Sequence, residues 1–169
     1  DYSGLTTTIT NPLCQAKTTV KNSQGQVAQV TDNAGTTNYT YDPFGNLTRV
    51  NKSYDAGTDT TMSYDLRGRK TGMQDPDMGN WTYAYDALGE LIRQKDANNK
   101  TVYMTYDPLG RMTERFAVDD HDSWTYDTAA TTDGATSFGK LARVSNANAT
   151  ETYTYGDFGR LSSVTTAIG

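Results

Sequence analysis

One cysteine and one histidine are all that this 169-residue chain offers of the two residue types most used for nucleophilic and metal chemistry. Cys14 cannot close an internal disulfide and says little about redox compartment, so it is expected as a small, buried or half-buried filler. No run of eighteen apolar residues exists, and no apolar h-region opens the chain, so neither a membrane-spanning helix nor a signal peptide is expected. The sequence starts at Asp1, without Met, and is read as a cut-out from a larger protein in preference to one whose leader has been removed. Basic residues are scattered singly and the net charge is −5; with no basic stripe to neutralise phosphates, nucleic acid is not an expected partner.

Apolar residues are also scarce, at 35%. Such poverty often signals disorder, but disordered chains lack aromatics and this one holds twelve Tyr. Tyr and Thr favour strands, while the plentiful Gly, Asn and Asp favour turns. The blend reads as all-β with many tight turns.

What is present is a repeated phrase. "YDPFGNL" at Tyr41 returns as "YDLRGRK" at Tyr64, "YDALGEL" at Tyr85, "YDPLGRM" at Tyr106 and "YGDFGRL" at Tyr155. A further copy begins "WTYD", with Tyr126 and Asp127, and reaches "FGKL" only after an interruption over residues 127–138. Aligned on Gly45, Gly68, Gly89, Gly110, Gly139 and Gly159, with Gly25 heading an eroded copy, the steps are 20, 23, 21, 21, 29 and 20 residues. A near-constant period of this size marks a repeat architecture. The chain is therefore expected as one array: a lead-in over 1–16, a degenerate repeat over 17–37, and regular repeats over 38–60, 61–80, 81–100 and 101–122. An interrupted repeat over 123–151 and a truncated one over 152–169 complete it.

Asp first, Pro or a neutral residue second and Gly fourth are the preferences of a type I turn closed by a left-handed Gly, the three-residue hairpin with a bulge. Asp42, Asp65, Asp86 and Asp107 should accept backbone N–H bonds there. With further turn signals at 32, 75 and 96, each repeat holds two strands of about six residues, a β-meander. Two residues before each phrase's Tyr stand Tyr39, Met62, Tyr83, Met104, Trp124 and Tyr153; one residue before it stand Thr40, Ser63, Ala84, Thr105, Thr125 and Thr154. This alternation predicts one face of large side chains and one of small, hydrophilic ones. Beyond the glycine, Leu47, Leu91, Met112, Leu141 and Leu161 recur two residues on, with Lys70 the exception. Val50, Met73, Val144 and Val164 recur five on, a change of parity that implies a bulge at a position the pattern does not give.

The Y-x-Y-D-x-x-G-x-L phrase, as in "YTYDPFGNL", "YAYDALGEL" and "MTYDPLGRM", resembles the YD repeat, also called the RHS repeat. That family includes the Rhs polymorphic toxins, the C component of insecticidal toxin complexes and the teneurins. The likeness covers residues 38–164, and 17–37 more weakly. Lys70, Gly156 in place of the turn Asp, and the interruption at 127–138 depart from the pattern. The resemblance implies repeated antiparallel hairpins forming a twisted, curled strip, a segment of shell that in the toxins encloses a C-terminal effector and in teneurins belongs to an adhesion protein. A ribbon of fourteen strands at roughly 4.8 Å spacing would be on the order of 65 Å wide, too wide to stay flat with one aromatic face in water.

No catalytic constellation is apparent. His121 stands in the acidic "DDHD", read as a solvated loop outside the repeat frame, with a metal contact through Asp119, Asp120 or Asp122 as the lesser reading. Carboxylates sit mostly at turn positions, where geometry already employs them. "DPDMGN" at 75–80 lacks the closing glutamate of a calcium loop and reads as a turn; "DFG" at 157 is the repeat's own turn. Sequons at Asn38, Asn46, Asn51, Asn80 and Asn148 matter only if a eukaryote secretes the protein. Tyr39, Trp81, Tyr83, Trp124 and Tyr153 form the one candidate ligand surface, against the plainer reading of cross-strand packing. The expectation is a non-enzymatic wall segment of a large secreted or cell-surface, bacterial protein, without cofactor or metal, whose partners are the rest of its shell and an enclosed effector. Open strand edges should make the fragment self-associate. The rival reading is an extracellular adhesion or glycan-binding module; a hydrolase on a β scaffold comes third.

Overall fold

Gly, Asn and Asp recur often enough to cut the chain into short segments rich in Thr, Tyr and Val, and those segments become strands. The computed structural model describes residues 2–53, 57, 59–131 and 137–169. Among them are seventeen strands, one 3-10 turn at Asp157–Gly159 and no α-helix. The chain divides into two compact units, Asp1–Tyr83 and Ala84–Gly169.

The first unit holds β1 (Tyr2–Ser3), β2 (Thr6–Thr10), β3 (Ala16–Lys21), β4 (Val27–Asp32), β5 (Gly35–Tyr41), β6 (Leu47–Lys52), β7 (Thr60–Tyr64), β8 (Lys70–Asp75) and β9 (Gly79–Tyr85), within which the division falls. Each strand pairs antiparallel with the next in chain order. The second unit holds β10 (Leu91–Lys95), β11 (Thr101–Tyr106), β12 (Met112–Ala117), β13 (Asp120–Tyr126), β14 (Ala130–Thr131), β15 (Leu141–Ser145), β16 (Ala149–Tyr155) and β17 (Leu161–Ile168). From β10 onward it is the same meander, except that β13 pairs with β15. Short β14, inside the interruption at 127–138, runs parallel to β16 through Ala130 opposite Thr154 and Thr131 opposite Tyr155. It is the one parallel pairing among the described residues; residues 132–136 of the interruption lie outside them.

Each unit is a sheet one layer thick. Among the described residues only Met104, Ala129 and Ala142 are buried apolar side chains, where a two-layer domain would have a continuous core. Stabilisation therefore comes from ladder hydrogen bonds and from side chains lying across neighbouring strands. The expected alternation is present: Thr40, Ser63, Thr105 and Thr125 are exposed, while Tyr39, Met62, Trp124 and Tyr153 are half-buried and Met104 is buried. Ala84 and Thr154 are half-buried as well. The large residues meet their like across the ladder, Tyr39 opposite Val50, Met62 opposite Met73, Trp124 opposite Val144 and Tyr153 opposite Val164.

Two sequence expectations are corrected. Cys14 is exposed, not buried or half-buried, because it stands in a hairpin turn. "DDHD" is neither a loop nor outside the frame: Val118 and Asp119 form a two-residue turn, Ala117 faces Asp120, and His121 lies in β13 opposite Phe116. Neither Val118 nor Asp119 takes a positive φ, so this turn makes no demand for Gly.

Candidate functional site

The turn of each phrase is built by its Asp. In the first regular copy, Asp42 Oδ1 accepts the N–H groups of Phe44 and Asn46, both at 2.9 Å. The Asp42 N–H donates to the Asn46 carbonyl at 2.9 Å, and its carbonyl accepts the Gly45 N–H at 3.0 Å. Asp65 receives Arg67 and Arg69 in the same way, Asp107 receives Leu109 and Arg111, and Asp86 receives Gly89 and Glu90. A short carboxylate at this position satisfies N–H groups that the reversing chain would otherwise leave open. Because these bonds favour the ionised form, the backbone N–H of Arg69 holds the Asp65 carboxyl below its ordinary 3.8, and that of Glu90 does so for Asp86.

The same turn occurs in the eroded copy, at the signal at 96 and, unadvertised by the sequence, at Asn11. Asn22 replaces Asp ahead of Gly25, accepting Gln24 and Gln26. At the opposite strand ends, Asn11 accepts Leu13 and Gln15, and Asp96 accepts Asn98 and Lys100. In these two turns Cys14 (φ 58°) and Asn99 (φ 66°) occupy the left-handed slot that Gly fills elsewhere. In the interrupted copy, Asp127 still donates to the Lys140 carbonyl at 2.9 Å and accepts the Gly139 N–H at 2.6 Å, so the two halves rejoin as one turn. Gly156, standing where other copies have Asp, offers no side-chain acceptor, and Phe158 there takes φ 59°.

The structure also locates the bulge. Tyr41 pairs with Leu47 but Thr40 pairs with Arg49, so Thr48 is the extra residue. The same slip makes Ala28, Thr71, Thr113, Ala142 and Ser162 extra. All six are small. The signal was therefore visible at the third residue past six of the seven glycines, Ile92 past Gly89 being the exception, but only to a reader already expecting a bulge there.

Between one repeat and the next, pairing stops short of the turn end. The final pairs in that direction are Gln29–Asn38, Arg49–Thr61, Arg93–Tyr103, Glu114–Ser123 and Arg143–Thr152. Past each of these the phrase's tyrosine takes over from the ladder. The hydroxyl of Tyr41 donates to the carbonyl of Val27 at 2.9 Å, Tyr64 to Leu47 at 2.8 Å, Tyr106 to Leu91 at 3.0 Å, Tyr126 to Met112 at 3.0 Å and Tyr155 to Leu141 at 2.9 Å. The acceptor is always the residue two past the preceding repeat's glycine. Burial, followed by the charge of Asp42 for Tyr64 and of Glu90 and Asp86 for Tyr106, raises both phenol pKa values. The five phenols thus bridge repeats; sequence periodicity marks them without revealing this partner.

A second contact runs forward from the residue after several of the glycines. Gln26 Nε2 donates to the Gly45 carbonyl at 3.0 Å. Arg111 reaches furthest: Nε donates to Asp107 at 2.7 Å, both terminal nitrogens donate to Asp127, and the guanidinium lies 4.4 Å from the Tyr126 ring centre. Asp127 is held below 3.8, first by that guanidinium and then by the Gly139 N–H. Glu90 sits within 3.1 Å of where a side chain on Gly110 would begin, and Gly110 has φ 77°. That turn needs Gly for its conformation and also for the approach of the neighbouring repeat. Burial, then Asp86 and Asp107, raises Glu90 above its ordinary 4.5, so this copy carries an acid where a base would suit the surroundings.

The five aromatics named as a ligand surface do not converge on one site in either unit. Trp81 donates its indole N–H to the Met78 carbonyl at 3.0 Å, Tyr153 donates to Glu151 at 2.6 Å, and the Lys70 ammonium stands 5.0 Å over Tyr83. Tyr39 and Trp124 lie half-buried in the cross-strand pairs described above. The exposed ring cluster is one the sequence did not single out: Tyr103 stacks on Phe116 at 5.3 Å, and His121 meets Phe116 edge-on at 6.2 Å. Among the described residues no cluster of His, Cys, Asp or Glu has the makings of a metal site.

Comparison with known proteins agrees with this repeat geometry. The family described as RHS Repeat matches residues 22–53 and 81–115. No curated protein matches the chain. Among solved structures, the crystal structure of TcdB2-TccC3-TEV superposes with a TM-score of 0.69 at 17% identity over 90% of this chain. TcdB2-TccC3-Cdc42 does so with a TM-score of 0.64, and TcdB2-TccC3 without its hypervariable C-terminal region with 0.68, at the same identity and coverage. This chain spans 9% of the length of each. Hairpins of one period, turned by Asp and Gly and bridged by tyrosine, together with these matches, identify residues 22–53 and 81–115 as RHS repeats in a chain that shares its fold with the TcdB2-TccC3 structures.

Proposed function

We propose that this run of repeats is wall: a stretch of β-shell in a large secreted or cell-surface protein, enclosing an effector encoded C-terminal to it. The observation that carries the reading is the tyrosine bridge, which seals the gap between repeats at the end where ladder pairing stops. A wall must be continuous, and a single-layer sheet is closed to solvent only if every junction is. Likeness to the TcdB2-TccC3 structures supports the enclosure reading by analogy of fold. The test uses the longer reading frame with its effector. Opening two junctions with Tyr106→Ala and Tyr126→Ala should expose the effector to protease at concentrations that leave the parent protein intact. Equal protection in both proteins, with the sheet still folded, counts against enclosure.

A second reading, glycan recognition at an extracellular surface, is favoured by the exposed Tyr103–Phe116 stack, since exposed ring faces suit the apolar faces of sugar rings. Glycan-array binding that disappears in Phe116→Ser, with the fold kept, supports it. An array without signal removes it.

A further inference from the structure

Five junctions carry a tyrosine bridge, and at one of them the chain itself fills the gap beside the bridge. At the other four, ladder pairing ends at Asn38, Thr61, Tyr103 or Ser123, three residues short of Tyr41, Tyr64, Tyr106 or Tyr126. The Asp after each of these tyrosines donates its N–H to its own hairpin, as Asp127 does to Lys140. Alternation along a strand therefore turns the tyrosine N–H the other way, into the gap. Among the described residues the ladder gives it no partner there.

At the fifth junction pairing of β15 with β16 ends at Thr152, again three residues short of Tyr155. Here β17 holds one edge of Thr154 and Tyr155, so β14 lies along the other, inside the gap. Burial records the filling. Ala142, the bulge residue of that junction, is buried, whereas Ala28, Thr48 and Thr113 at other junctions are half-buried. Thr154 is half-buried where Thr40, Ser63, Thr105 and Thr125 are exposed. Filling does not widen the junction: Tyr155 reaches the Leu141 carbonyl at 2.9 Å, within the 2.8–3.0 Å of the other four bridges. Those four gaps therefore have the width that β14 occupies.

We infer that the four gaps are binding sites for an extended peptide segment of a partner chain, taken up parallel to the tyrosine strand as β14 is. The chain's own filling selects the occupant. Main-chain groups supply the hydrogen bonds, a carbonyl of the segment accepting the tyrosine N–H. The side chains must be small, because Ala129, which leads into β14, is already buried and the bulge residue beside the gap is Ala28, Thr48 or Thr113 at three of the four. A run of Ala, Ser, Thr or Gly fits, and a bulky run does not. With two residues paired in each gap, a single segment binds weakly. The inference does not depend on an enclosed effector.

Amide hydrogen exchange tests it, with the chain's own segment as probe. Deleting residues 128–136 joins Asp127 to Ser137 and restores the spacing of a regular copy. Exchange at Tyr155 should then quicken at least about tenfold (about 1.4 kcal/mol), and an end-blocked peptide of residues 128–136 at millimolar concentration should slow it again. Added to the parent protein, the same peptide should slow exchange at Tyr41, Tyr64, Tyr106 and Tyr126. A peptide carrying Ala129→Leu and Ala130→Leu should not. A tethered variant meets the case of weak binding: residues 128–136 copied between Asp107 and Pro108 hold the segment beside Tyr126 at high effective concentration, and should slow exchange there. Far-UV circular dichroism checks the fold of both variants, and the parent protein with peptide needs neither. Three results overturn the inference. One is exchange at Tyr126 as fast in the folded tethered variant as in the parent. Another is protection by the peptide at Tyr155 alone, which makes the gap a seat for the chain's own interruption. The third is slowing confined to β17, or retained by the leucine peptide, which is pairing at the strand edge.

Discussion

A hydroxyl at the end of one ring decides whether two repeats stay closed. Tyr106→Phe keeps the ring and removes its bond to the Leu91 carbonyl, leaving that acceptor short of a partner. The expected loss is about 0.5–1.5 kcal/mol, read as a lower urea midpoint with an unchanged m-value. Glu90→Arg should act in the opposite direction. It places a guanidinium between Asp86 and Asp107 as Arg111 lies between Asp107 and Asp127, and it removes the carboxylate whose pKa its neighbours raise. Its melting temperature should exceed that of the parent, with the gain shrinking as salt is added. Cys14→Gly relieves a β-carbon in the left-handed slot and should add about 0.5–1 kcal/mol of stability. An unchanged or lower midpoint would mean that the turn tolerates Cys14 without strain.

Hairpins are the elements through which acid should act. Asp65, Asp86 and Asp127 all have folded-state pKa values below the ordinary 3.8. Each therefore contributes stability that is fully present above that value and disappears as pH falls through the depressed folded value. Urea midpoints should stay level from neutral pH to about 5 and fall steeply below about 4. Asp127→Asn should flatten part of that fall while lowering the neutral-pH midpoint. Hairpins are also the scale at which the sequence was most legible. Asp and Gly at fixed offsets announce the turns, and period-two alternation announces the faces, because both are local requirements of one short segment. The extra residue at Thr48 or Thr113 was hidden, since a change of parity reveals that one residue is surplus without saying which. The turn at Asn11 was hidden too, because Cys14 does not look like a residue that usually takes φ near +60°, whereas Asp96 and Asn99 announced theirs. The tyrosines stood out as a motif, yet their role depends on a carbonyl about fifteen residues earlier in the chain, and no periodic pattern names an acceptor. Exposure of Tyr103 and Phe116 went unnoticed as well: Tyr103 shares the parity of the small Thr105, but Phe116 joins its face only through the register across the bulge at Thr113.

For the molecule as a whole, the thin sheet makes each repeat depend on its neighbours rather than on a core. Removing residues 90–110 joins Gly89 directly to Arg111 and deletes one full period. The product should keep its β-type circular dichroism and melt as a single transition at a somewhat lower temperature. Removing only residues 96–105 should abolish the transition, because a strand of the remaining half would then meet its neighbours running in the wrong direction. If both deletions melt alike, repeats are not the unit of cooperation. The phenol-to-carbonyl bridge carries this further. Since these five copies each grip the one before by a main-chain oxygen, which any residue possesses, neighbours need not match in side chain. A chain of this kind can lengthen by duplicating whole copies, and each new copy arrives already able to seal against whatever precedes it. A cavity walled in this way would grow in steps of about twenty-one residues, independent of what it holds.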